Sequence, residues 1–336
     1  MIRSRFTSFA LLLAVCAAAF GLAATCAAQE SDRTLSAADR SYTVGRFALM
    51  LDTAPMGFIR SIEGGAITAD VVNEPVGPDY FIHKHIGQPK YEDFDMKVGF
   101  SMGRPLYDWI STSWGPQPTR KNGAVVALDY QMKVQWEKDF YDALLTEVTI
   151  PACDASSKEP AYLAIKLSPE LTRRVLPPVG IGPVDLPKGQ KTWLPSNFRL
   201  SIDGLDCSRI IRIEPFTVKR GVIVDDTGEQ RIYAKEPGKI EFPNLLITLS
   251  QSSATSWTQW HEDFVVLGNN DASHEREGTL ILFAPDMKTE LTRIVLHGLG
   301  IIKVEPATDQ GGGVKRVNAE LYCEQMEFVG PGPQPQ

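Results

Sequence analysis

Two imidazoles in His83-Lys84-His85 stand at i and i+2, one face of an extended segment, and could approach a single metal ion. No third ligand is identifiable, and structural zinc usually takes four, so the competing reading is a solvated loop. His261-Glu262-Asp263 begins like the zinc-protease H-E-x-x-H, but Val265 stands where the second histidine belongs, which leaves His261 a helix-face residue. Cys153 and His83 could be imagined as nucleophile and base, yet only residue type supports that, since Cys153 falls in a turn after a strand. The chain contains no Gly-x-Ser-x-Gly elbow, phosphate loop or dinucleotide fingerprint. Trp109, Trp114, Trp257 and Trp260 could stack on sugar rings, but aromatics on an amphipathic helix more often fill a core or an interface. Asp225-Asp226-Thr227-Gly228 is turn chemistry that could also hold calcium, and Glu92-Asp93 reads as a solvated acidic pair. These residues predict a non-enzymatic chain with no catalytic residue, metal or cofactor.

The elements that position these residues come in two similar sets. Phe47-Ala48-Leu49-Met50-Leu51-Asp52 matches Phe198-Arg199-Leu200-Ser201-Ile202-Asp203, and Phe58 to Glu63 resembles Ile210 to Glu214. Gly87-Gln88-Pro89-Lys90-Tyr91 matches Gly238-Lys239-Ile240-Glu241-Phe242, and Trp109 matches Trp260. Gly123-Ala124-Val125-Val126 then matches Gly278-Thr279-Leu280-Ile281, and Pro151-Ala152 matches Pro306-Ala307. Unbroken order over this length reads as a tandem duplication. Each half is expected to open with an alternating strand and continue with a second (Ser61 to Val72; Ile210 to Val224). A third follows, with period-two alternation across Tyr91 to Val98 and Glu241 to Leu249. One helix comes next, because Leu106, Trp109, Ile110 and Ser113 share a face, as do Trp257, Trp260, His261 and Phe264. Three strands close each half. Asn122-Gly123 suits a two-residue hairpin turn, and Gly311 to Gly313 a looser one.

The 336 residues, 43% hydrophobic and 22% charged, are enough for packed cores and exclude wholesale disorder. A formal charge of -7 without a basic block argues against nucleic-acid binding. Arg3 and Arg5, the uncharged run Phe6 to Ala24, and Cys26 and Ala28 at −3 and −1 predict a signal peptide over 1–28, so the protein is expected to be periplasmic or extracellular. The alternative is an uncleaved anchor, the one membrane contact the sequence allows, since the run is nearly long enough to span a bilayer. Residues 29–41 read as a flexible leader, 42–175 and 196–330 as the two domains, 176–195 as a Pro/Gly-rich linker and 331–336 as a disordered tail. Of five cysteines, Cys153, Cys207 and Cys323 lie outside the signal segment, so at most one disulfide can form.

Gly87-x-Pro89-Lys90-Tyr91, then Leu106-Tyr107-Asp108-Trp109-Ile110 and Trp114, then Glu147-Val148-Thr149-Ile150-Pro151-Ala152, resembles the tail-tube protein family of contractile phages and related injection systems. The resemblance runs from Arg46 to about Pro169. The second half keeps the element order, with Trp257-Thr258-Gln259-Trp260 in place of the Leu-Tyr-Asp motif. It implies a mainly β protein of two tandem barrel or sandwich domains, each with one flanking helix. It also implies six-domain rings that stack into a tube, built from three chains if each supplies two domains, as in tail-hub proteins. Tyr91, Leu106, Tyr107, Asp108, Trp109, Trp114, Trp257 and Trp260 become structural or interface candidates, with the chain itself as partner. A signal peptide departs from the phage members, which assemble in the cytoplasm, and points to an exported relative. The alternative function is a secreted, monomeric module binding glycan or peptide.

Overall fold

Six strands of the first half close a barrel. They are β1 (Arg46–Leu51), β2 (Ala54–Gly64), β5 (Phe94–Val98), β6 (Lys121–Leu128), β7 (Val134–Ile150) and β9 (Leu163–Ser168). The circuit β1-β2-β5-β9-β7-β6 returns to β1 through antiparallel ladders throughout. The computed structural model describes residues 45–75, 77, 80–175, 184–186, 193–225, 232–307 and 315–331. The signal segment, the leader, the Gly311 to Gly313 turn, Asp226 to Gly228 and most of the linker and tail lie outside them.

The strands obey the period expected of a half-buried sheet. In β5, Phe94, Met96 and Val98 point into the barrel while Asp95 and Lys97 face out. β1 and β6 are buried on both faces, because Leu186 packs with Ala48, Val126 and Leu128 on the barrel's outside.

The second half repeats the plan without closing it. Here the strands are β11 (Phe198–Ile202), β12 (Ile210–Ile213), β15 (Leu245–Ser250), β16 (Arg276–Phe283), β17 (Glu290–Pro306) and β18 (Arg316–Val329). Their order is β11-β16-β17-β18-β15-β12, a curled half-barrel. Where the 11 residues of β2 return to pair with β1, β12 has four and does not reach β11. β8 (Cys153–Asp154), from the first half, lies against β12 instead. Short β10 (Leu171–Val175) finishes the first half along β7.

Each half also raises a hairpin, β3 (Ile67–Glu74) with β4 (His83–Tyr91), and β13 (Phe216–Asp225) with β14 (Ala234–Glu241). Their registers are congruent. Thr68 opposes Lys90 as Lys219 opposes Glu241, and Val71 opposes Ile86 as Val222 opposes Pro237, all 151 residues apart. The irregularity falls at the same place in both, between Ala69 and Val71 and between Arg220 and Val222.

Helix α1 (Arg104–Trp114) buries Leu106, Trp109, Ile110 and Ser113, and α2 (Thr255–His261) buries Trp257 and Trp260 before a π turn, Glu262–Val266, buries Phe264. Both predicted faces pack except at His261, which is only half-buried, and α1 also buries Tyr107 and Trp114.

Several predicted boundaries move. The strand expected over Ser61 to Val72 is two strands, because Gly64 and Gly65 both take positive φ and turn the chain. The strand expected over Tyr91 to Val98 likewise breaks between β4 and β5. His83-Lys84-His85 is strand, not loop, and pairs with Val72 to Glu74. Asn122-Gly123 is no turn. It lies inside β6, with Gly123 opposite Leu51 and the Asn122 carbonyl accepting the Asp52 amide, where a Cβ on Gly123 would strike the Met50 carbonyl and the Phe140 ring. The hairpin turn is instead Asp129 to Lys133, whose Asp129 carboxylate accepts the Gln131 and Lys133 amides at 2.7 and 3.0 Å.

Candidate assembly interface

The two halves meet along strands that cross from one to the other. β13 of the second half pairs with the end of β7 in the first, Phe216 opposite Ile150 through Lys219 opposite Glu147. Thr149 and Thr217 hydroxyls are 2.9 Å apart across this ladder. Alternation in Phe216-x-Val218 sends both side chains into the shared core, 5% and 2% exposed.

Polar groups fix the edges of this contact. A helix C-terminus leaves carbonyls without intrahelical partners. The Arg220 guanidinium donates to two at the end of α1, Ser113 at 2.9 Å and Gly115 at 2.6 Å, and to Gly238 at 2.9 Å. Lys235 donates through its amide to the Glu170 carboxylate at 2.8 Å and through Nζ to Ser168 at 2.9 Å. Arg120 pairs with Glu236 at 2.8 Å and with Glu170 at 3.7 Å. On the far side, Arg212 of β12 binds Asp154 of β8 at 2.8 Å and Glu214 at 2.7 Å. The hydroxyl and amide of Ser156, then Arg212, hold the Asp154 carboxyl below its ordinary range.

The Leu106-Tyr107-Asp108-Trp109 motif sits under this interface. Leu106 and Trp109 enter the barrel core, with the Trp109 indole donating to the Thr119 carbonyl at 2.8 Å. Tyr107 turns to the second half and stacks on Phe328 of β18, centroids 6.2 Å apart and planes 8° from parallel. Its hydroxyl accepts the Met102 amide at 3.2 Å, and burial pushes its pKa up. Trp114 meets the same Phe328 edge-on at 5.5 Å. Asp108 is exposed, 3.7 Å from Arg104 one turn back. Tyr91 closes hairpin β3–β4 opposite Ile67. Trp257 donates its indole N–H to the Asp206 carbonyl at 3.1 Å, and Arg276 covers the Trp260 ring at 4.7 Å. Trp109, Trp114, Trp257 and Trp260 are at most 4% exposed and offer no face to a sugar ring.

The candidate chemistry does not come together. Cys153 is buried opposite Ile213, and burial pushes its thiol pKa up, which opposes thiolate formation. His85 stands 3.7 Å from the Glu74 carboxylate on the exposed hairpin. Among the described residues, no three His, Cys, Asp or Glu side chains converge. Cys153, Cys207 and Cys323 are all unpaired. Sequence reasoning missed Phe328 and Arg220. Phe328 is an ordinary apolar strand residue, and the main-chain carbonyls that Arg220 meets on α1 carry no sequence signal.

Residues 45–171 match a family model described as the T4-like virus tail tube protein gp19. No curated protein matches the chain. Among solved structures, the sheath–tube complex of an extracellular contractile injection system is 20% identical. That match covers 44% of this chain and 99% of that one, with a TM-score of 0.38. The tube-terminating cap of the anti-feeding prophage is 21% identical over 44% of this chain and 99% of that one, with a TM-score of 0.37. Hcp1 from Flavobacterium johnsoniae is 11% identical over 40% of this chain and 94% of that one, with a TM-score of 0.25.

Proposed function

From the tail-tube-family match over residues 45–171 as premise, we propose that this is a non-enzymatic structural protein whose two halves arose by duplication and whose copies assemble into a ring. Three chains supply six tube-like halves, alternating in kind around the ring. Export through a cleaved signal peptide over 1–28 places the assembly outside the cytoplasm.

One observation carries this reading: β13 of one half continues the sheet of the other. Sheet edges hold unpaired N–H and C=O groups, and a ring satisfies them by passing the ladder from neighbour to neighbour. The congruent hairpin registers support duplication. The alternative is a secreted, monomeric module binding glycan or peptide, and buried indoles on both tryptophan helices argue against its glycan-stacking form.

Sedimentation of the mature protein tests the proposal, with negative-stain images. A trimer of chains, or stacks of trimers, is expected. A clean monomer at tens of micromolar would overturn the ring and leave a binding module.

A further inference from the structure

We propose that hairpin β3–β4 of one copy adds the start of its β3 strand to the open edge of β17 in a second copy, at Lys303 and Val304. This rests on the self-assembly reading and assigns it a contact. Two equivalent hairpins differ in burial. Val218 on β13 is 2% exposed, and Ile67, at the corresponding register of β3, is 51% exposed. Val71, Val72 and Ile86 are exposed on the same hairpin. Hairpin β13–β14 has a strand to lie on, and β3–β4 forms a sheet of its own.

The receiving edge has its own equivalent. β7 and β17 correspond by register. Leu145 opposes Leu167 and Glu147 opposes Lys166 across an irregularity, as Ile301 opposes Leu321 and Lys303 opposes Glu320. The stretch Glu147 to Ile150, which takes β13, therefore corresponds to Lys303 to Pro306, which moves the sequence match of Pro151 with Pro306 by one residue. β16 accompanies β17 only to Leu299, so among the described residues no strand pairs with that side of Lys303 to Pro306. Beside it lies a groove of about 470 Å³ lined by Ala254, Thr258, Gln259, Val304 and Pro306. The corresponding face of α1 is covered, by β13 and by Phe328 on Tyr107. Transferring the β13–β7 register sets Ile67 opposite Val304 and Thr68 opposite Lys303.

Polar partners fit the same register. Lys235 and Glu236 of β14 meet Glu170 and Arg120. At the equivalent positions, the Lys84 amide would face the Glu324 carboxylate as the Lys235 amide faces Glu170, and the His85 imidazole would face Glu275, a hydrogen-bonding pair in place of the Glu236–Arg120 ion pair. The occupant is another copy of this chain, because the segment with the matching register is its own β3–β4. A donor half then meets an acceptor half at each joint, the heterologous contact that closes rings.

The test uses the full mature chain. Ile67→Glu alters a residue exposed in the single chain, so its far-ultraviolet circular dichroism should match the parent while its sedimentation falls to a single chain. Directly opposed strand residues stand about 4.5–5.5 Å apart between Cα atoms, within disulfide reach. Thr68→Cys with Lys303→Cys should therefore give a ladder of covalent multimers on oxidation, and either substitution alone should not. If the parent assembles, Ile67→Glu assembles equally and no ladder forms, the docking is overturned and self-assembly stands. A parent that stays single overturns both and leaves the groove to another partner.

Discussion

Trp109 is held by apolar packing around its ring and by one hydrogen bond to Thr119. Trp109→Ala is expected to cost about 3–5 kcal/mol of unfolding free energy, as large aromatic truncations in cores do, measured by denaturant titration. Asp154 behaves differently. Its folded pKa lies below the ordinary value of 3.8, so its contribution is full above that value and is lost as pH falls through the lower folded one. Arg212→Ala removes one partner of Asp154, so the stability gap between parent and variant should narrow on acidification below the ordinary value, read by denaturant titrations at several pH values. A gap independent of pH would show that Arg212 acts through packing and not through a carboxylate partner. Much of the motif was legible at this scale. The 3–4 spacing of Leu106, Trp109 and Ile110 demands a buried face, and all three are buried. That Tyr107 faces the other half was not legible, because Phe328 is 221 positions away and nothing local marks it.

The two halves' elements were legible as period-two strands around one amphipathic helix, and that order holds. Misreadings came where one local signal serves two purposes. Asn-Gly is a hairpin signal because glycine accepts positive φ. In β6 the same glycine meets a different need, the close approach of β1 and of the Phe140 ring. Gly123→Val should therefore cost stability through overpacking, about 1–3 kcal/mol, whereas a valine in a true surface turn would act through backbone strain alone. A chemical-denaturation midpoint, with a structure of the variant showing β1 or Phe140 displaced, would settle which cost operates. Strand closure was not legible either. The pattern of β12 does not reveal that it is too short to meet β11, and the insertion of β8 follows from that shortfall.

For the whole molecule, the sequence suggests two domains on either side of a Pro/Gly-rich linker, which should unfold independently if the linker were their main connection. The structure supplies other connections. β13 joins the first barrel, β8 joins the second sheet, and a single buried cluster runs from Leu49 to Phe328 through both halves. Nothing in a linker's composition reports such contacts, since they depend on where hairpins land after the chain has folded. Cooperativity follows from the shared core: removing one half would expose Phe216, Val218, Ile150 and Phe328 of the joint at once, about 25 cal/mol for each Å² of apolar surface. We therefore expect one calorimetric transition, with no separate peak for either half. Trp260→Ala, seated in the second half, should lower that whole transition and leave no residual peak at the parent's temperature. Two peaks, with only one moved by the substitution, would mean that the halves are stable alone and that the joint between them is weak.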